Sequence, residues 1–160
     1  MNAEDVHKYG NLTVQRALEN VPAGQWDTPN VCGWWSVREI MAHLASFERL
    51  LEDVLTTVLG GAPGPTMLRM SDPDVDFNEV EVASRNAHSR QQVMAEYNET
   101  HMRTAALIAR VPLETRRQIG VLPWYGPEYD LEDYITYSNY GHKREHMSQV
   151  NVFLDTLKME

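Results

Sequence analysis

The stretch GHKREHMSQV, residues 141–150, decides how the C-terminal third of this chain is read. It sets His142 and His146 four residues apart inside an apolar stripe: Ile135, Asn139, His142, His146, Val150, Phe153 and Leu157 recur at steps of three and four. Such steps keep side chains on one face of a helix. The spacing therefore predicts a helix from a cap at Asp130 through Leu157, with both imidazoles turned inward, and Glu132 and Asp133 suit the positive end of its dipole. A chain with 6 histidines in 160 residues carries about 0.2 such pairs by chance. On a helix, side chains at i and i+4 lie about 6 Å apart, within reach of one transition-metal ion. The alternative is a pair of core histidines satisfied by neighbours such as Ser138 and Gln149.

Three further segments upstream carry helical periodicity, and almost nothing carries the alternation of a half-buried strand. The first runs from about Glu4 to Asn20, with Val6, Tyr9, Ala17 and Val21 on a loose apolar side and Gly10 as a weak point. In the second, Ser36 and Glu39 form a capping box, and Ile40, Leu44, Phe47, Leu51, Val54 and Val58 make a stripe that Gly60 and Gly61 end. In the third, Ser89 and Gln92 repeat the capping signature, and Val93, Tyr97, Thr104, Leu107 and Ile108 carry a helix to about Arg110 before Val111 and Pro112. Between these two, GGAPGPTMLRMSDPD (60–74) reads as irregular chain serving as lid, crossover or disordered connection, followed by a short helical turn at Phe77 to Ala83. The segment IGVLPWYGPEYD (119–130) reads as an ordered loop. Four amphipathic helices that each bury one stripe make an all-α four-helix bundle, here one domain over 1–160.

Composition narrows the chemistry. One cysteine, Cys32, excludes an intrachain disulfide framework and a cysteine-rich zinc module, so histidine must supply any metal ligands and a reducing cytoplasm is the expected compartment. No apolar run approaches the roughly 20 residues of a membrane span. The net charge of −9, with acids gathered around 48–53, 72–81 and 128–133, is the wrong sign for a nucleic-acid partner.

A catalytic zinc-type site normally takes three protein ligands. His43 is the best third candidate, one residue from the stripe position Leu44 and three from Ile40 on the second helix. Histidines on facing helices can converge across interaxial distances of about 8–10 Å. The phrase WWSVREIMAHLASFE (34–48), followed much later by YGHKREHMSQV (140–150), resembles the DinB/YfiT-like superfamily of metalloenzymes, and FNEVEVASRNAHSRQQVMAEYNETHMRTAALI (77–108) is similar to that family's third-helix region. The resemblance spans nearly the whole chain. It implies a DinB-like four-helix bundle that often forms a homodimer, with His43, His142 and His146 as ligands of a divalent metal such as nickel or zinc. It also implies a small-molecule substrate. The chemistry it implies is thiol-dependent S-transfer or isomerisation with a low-molecular-weight thiol such as bacillithiol or mycothiol, or else metal-dependent hydrolysis. A rival of another class is a non-catalytic metal-binding stress-response bundle.

Several other residues carry two readings. Glu48, five residues after His43, is a general base near the metal or a solvated acid, the second being expected. Glu39 and Glu145 are outer partners of a ligand histidine or, more simply, a capping residue and a surface acid. His101, in line with Tyr97, Thr104 and Ile108, is a fourth ligand or proton shuttle, or a half-buried histidine. His7 and His88 are expected to be exposed. Cys32 is expected to behave as a small buried hydrophobe rather than a nucleophile. Trp124, Tyr125 and Tyr129 wall a pocket or merely pack ahead of the last helix.

Overall fold

The computed structural model describes residues 2–159, and among these the only β pairing is an isolated bridge between Cys32 and Trp35. α1 (Ala3–Leu18) begins where the Asn2 side chain accepts from the Glu4 backbone N–H. α2 (Val37–Val58) begins at the expected capping box: Glu39 N–H donates to Ser36 Oγ, and Ser36 N–H donates to Glu39 Oε2 at 2.8 Å. It ends before Gly60, whose φ of +94° is open to glycine and strained for other residues. The connection that follows is ordered and contains α3 (Pro65–Met70) and α4 (Phe77–Ala83). α5 (Arg90–Arg110) carries the second capping box, from Ser89 and Gln92, and α6 (Leu113–Arg116) is a single turn after Pro112.

α3 corrects the expectation of an irregular stretch. Pro65 stands at its first turn, where a missing N–H costs nothing. The Asp53 carboxylate of α2 accepts from the next two free amides, Thr66 N–H at 2.8 Å and Met67 N–H at 3.0 Å. The cap thus comes from another helix rather than from a neighbouring residue, so no local pattern announces it.

The C-terminal helix starts as expected, with Asp130 and Asp133 in a reciprocal capping box, but it is not one continuous α-helix. α7 (Leu131–Tyr134) passes into a π-helical segment, Ile135–Gly141, before α8 (His142–Leu157). The consequence lies in the spacing. Leu131, Ile135, Asn139, Lys143 and Met147 are all buried, each four residues after the last. On an α-helix, four such steps drift by about 160° in total, halfway round the axis. The under-wound π segment removes much of that drift and keeps the row facing one way.

Cross-helix contacts give the topology. His7 meets Thr104 and Gln15 meets Asn98, so α1 and α5 are antiparallel. Arg49 pairs with Glu96 and Glu52 with Arg103, so α2 and α5 run parallel. His43 meets His142 and Glu48 meets Asn139, so α2 and α8 are antiparallel. Parallel neighbours oblige the intervening chain to return along the bundle, and residues 59–89 with α3 and α4 make that return as a crossover.

The apolar interior comes in two parts. One gathers Val14, Leu18, Ile40, Leu44, Val93, Tyr97, Met147 and Val150; the other gathers Leu51, Val54, Leu55, Ile108, Leu131 and Ile135. Near the boundary between them in sequence register, on every long helix, lies a buried polar layer: His7 on α1, His43 (just inside the first part) and Glu48 on α2, Thr100 and Thr104 on α5, Asn139 on the π segment, and Lys143 and His146 on α8. Gly10 of α1 lies at the same level, and there a Cβ would meet the Tyr140 ring at 3.3 Å and Lys143 at 3.4 Å. The weak helix former is therefore a close-approach residue.

Candidate metal centre

α2 supplies His43 and α8 supplies His142 and His146, and the three rings meet edge to face, with centroids 4.7–4.9 Å apart. His43 Nε2 lies 2.8 Å from His142 Nε2, and His142 Nε2 lies 3.0 Å from His146 Nε2. His146 Nδ1 lies 2.8 Å from Gln149 Oε1, an oxygen that can only accept. A neutral His146 is thereby assigned its Nδ1–H, and its Nε2 turns a lone pair toward the other two rings. A single N–H on His142 Nε2 would face two lone pairs at once, whereas one cation satisfies all three. The separations also suit an ion: donors about 2.1 Å from a metal lie about 3.0 Å apart at right angles and about 3.4 Å apart at a tetrahedral angle.

The site holds its imidazoles neutral, as metal ligation requires. Burial, reinforced by the other two rings, pushes His43 down to about 2. Burial, His146 and the Lys143 ammonium push His142 down to about 3. His146 is lowered too, chiefly by burial, against the opposing pull of Gln149 and Glu145. Aromatic side chains enclose the cluster: Trp35 lies 4.9 Å from His43, and Phe47 lies 4.8 Å from His43 and 4.4 Å from His142, backed by Phe77. Trp35 also lines a cleft of about 280 Å³, together with Cys32, Gly33, Trp34, Asp76, Asn78 and Glu79.

Residues 13–133 match the family described as the mycothiol maleylpyruvate isomerase N-terminal domain. The chain belongs to that family. This N-terminal domain family lies within the DinB/YfiT-like superfamily that the sequence resembles. The matched stretch includes His43 and the Trp35–Glu39 segment, and ends before His142 and His146. No curated protein and no solved structure matches the chain.

The structure brings His43, His142 and His146 together and groups Glu48, His7 and His101 in a separate cluster. Glu39 is engaged by its capping box, and Glu145 points to solvent. Glu48 corrects the expectation of a solvated acid: it is 0% exposed, because residue 48 turns toward α8, where Lys143 meets its carboxylate. Burial alone would raise its pKa, but the Lys143 ammonium, with His101 and His7 beside it, holds it well below the usual carboxylate range. His7, expected to be exposed, is 1% exposed, its ring stacked on His101 at 4.1 Å and its Nε2 3.0 Å from Thr104 Oγ1. His101 Nδ1 lies 3.8 Å from Glu48 Oε1, so His101 belongs to the Glu48 cluster. His88 is half-buried at the other end of α5. Trp124, Tyr125 and Tyr129 pack, mostly edge to face, against one another and against Tyr134 and Tyr137 near the start of the C-terminal helix. Cys32 is half-buried and burial raises its thiol pKa, as expected of a small hydrophobe.

Sequence reasoning set Asn139 on the inward stripe, where the structure buries it, but missed Lys143 as an interior residue. The available signal was the unbroken four-residue row from Leu131 to Met147, in which a lysine holds a core position.

Proposed function

We propose that this chain is a metal-dependent enzyme acting on a small molecule with a low-molecular-weight thiol as cosubstrate, by S-transfer or thiol-assisted isomerisation. His43, His142 and His146 hold the ion through Nε2, and nickel or zinc suits an all-imidazole set. The observation that carries the reading is the meeting of three neutral imidazole nitrogens, from two helices distant in sequence, with 2.8 Å and 3.0 Å edges. Family membership supports the thiol: the matching family is described by a mycothiol-dependent isomerase.

A divalent ion in such a site acts as a Lewis acid and lowers the pKa of a bound thiol or water. Gln149 accepts from His146 Nδ1 and fixes both tautomer and ring plane. Trp35 packs against His43 and Phe47 against both His43 and His142, with Phe77 behind Phe47, and these rings hold the two imidazoles in place. The cleft that Trp34 and Trp35 line offers an indole wall together with Asp76, Asn78 and Glu79, a combination suited to a polar, hydroxyl-bearing small molecule. A second chain in a homodimer completes the reading, and sedimentation equilibrium tests it separately.

Two measurements test the proposal. Elemental analysis of the wild type beside a His43→Ala, His142→Ala double variant should find about one equivalent of metal in the first and a trace in the second; equal contents would end the metal reading. Thermal shift of the nickel- or zinc-loaded protein against mycothiol, bacillithiol and glutathione should show stabilisation by at least one thiol. If none stabilises it while small esters do, the chemistry is hydrolytic.

A further inference from the structure

The Glu48 cluster sits apart from the three histidines, and one oxygen of its carboxylate bonds the chain that carries His142. Glu48 Oε1 accepts from Asn139 Nδ2 at 3.2 Å and from the Lys143 ammonium, and Lys143 Nζ also donates to Asn139 Oδ1 at 3.0 Å. Glu48 Oε2 accepts from Thr104 Oγ1 at 2.8 Å, with His7 Nε2 at 3.4 Å. One carboxylate thus ties α1, α2 and α5 to two residues that bracket the end of the π segment. Asn139 lies within that segment, and Lys143 is the residue after His142.

A π turn is rare inside α-helices, so the chain relaxes to the commoner α geometry unless something outside the helix holds it. Here the Asn139–Lys143 pair spans the junction and is clamped from across the bundle. Relaxing the segment to an α-helix would rotate the chain before the junction relative to α8 by up to about one residue, or 100°. Asn139 and the row Leu131–Ile135 could then no longer face inward together with Lys143 and Met147. His142 rides on that junction and meets His43 with Nε2 atoms 2.8 Å apart, a separation that a small rotation would spoil.

We infer that Glu48 is a positioning residue for the metal centre: through Lys143 and Asn139 it locks the π junction and so sets where His142 presents its Nε2. The inference rests on the three-histidine metal reading. It assigns Glu48 no contact with substrate and no part in proton transfer. The same cluster needs no metal of its own, since Lys143 already supplies the positive charge facing the carboxylate.

The test uses Co²⁺ as probe, because its visible absorption reports coordination number and geometry, with Ni²⁺ affinity from competition titration. Glu48→Gln removes the charge at constant shape, and Asn139→Leu removes the arm of the clamp that reaches into the π segment while leaving the Glu48–Lys143 pair. A Leu55→Ala variant, a buried residue of the other apolar cluster, controls for lost stability. The expected result is one Co²⁺ per wild-type chain, an affinity lower by about 10-fold or more in E48Q and N139L, and an altered visible spectrum in both. L55A should keep the wild-type affinity and spectrum. If E48Q does not fold, N139L carries the comparison alone. Wild-type affinity and spectrum in N139L, or losses in L55A as large as those in the cluster variants, would overturn the inference while leaving the metal reading intact. A wild type that binds neither ion at its histidines would overturn both.

Discussion

A lysine and a glutamate facing each other at the centre of a bundle are costly to desolvate and costly to separate, and the two costs differ in what they predict. Lys143 and Glu48 are 1% and 0% exposed. Removing one partner strands a buried charge, typically worth about 3–5 kcal/mol, whereas replacing both with apolar groups of similar size is often neutral. Lys143→Met should therefore destabilise the fold by about 3–5 kcal/mol in urea denaturation, and Glu48→Leu with Lys143→Met should recover most of that loss. A double variant no more stable than the single one would mean that Asn139, Thr104 and His7 depend on the charges for their own satisfaction. The same residues show what a sequence reveals at this scale. His43, His142 and His146 are legible because chemistry and spacing agree in them. Glu48, His7 and Lys143 are not, because a charged or titratable side chain is ordinarily solvated, and only partners from three other helices reverse that default.

At the scale of elements, capping boxes made the long helices legible from the chain itself, since the bonds of Ser36 with Glu39 and Ser89 with Gln92 span three residues. The π segment and α3 were hidden for the opposite reason: one is held by the Glu48 clamp and the other is capped by Asp53 from α2. The crossover is anchored in the same non-local way. Arg85, with its side chain 8% exposed, donates to Glu81 at 2.8 Å and to both carboxylate oxygens of Glu96 on α5 at 2.8 and 2.9 Å, and Arg69 of α3 reaches the other Glu81 oxygen. Arg85→Ala should cost about 2–3 kcal/mol and should raise amide exchange across residues 65–88 before it does so in the middle of α2 or α5. Uniform loss of protection over the whole chain would show that the crossover does not open by itself. Where α1 crosses the π segment, Gly10→Leu should cost about 1–3 kcal/mol by overpacking against Tyr140 and Lys143, measured by the same denaturation.

For the molecule as a whole, the up, down, down, up order of α1, α2, α5 and the C-terminal helix sets the polar layer between two apolar clusters, each built from several helices. A bundle with two such clusters should stand without its ion, so chelation should leave far-UV circular dichroism unchanged, while Ni²⁺ at 100 times its Kd should add about 2.7 kcal/mol of stability. Protons supply the complementary test. His7, His43, His142 and His146 are all pushed below the usual histidine range by burial first, and His43 and His142 reach about 2 and about 3. In the unfolded chain they titrate near 6.5, so between that pH and the folded values the unfolded state binds more protons and stability must fall as pH falls. Their stabilising share is intact above about pH 7 and erodes progressively below 6.5; Glu48 and Glu96, lowered in the fold, add a loss of the same sign once the pH drops below about 4.5. The metal-free protein should therefore melt at lower temperature at pH 5 than at pH 7.5, by about 2–4 °C for each kcal/mol lost. His43→Phe with His142→Phe, which removes two of the groups that must stay neutral, should flatten that slope. A melting temperature independent of pH between 7.5 and 5 would mean that these rings take up protons in the folded state, and a cluster able to do that would not present three lone pairs to a cation.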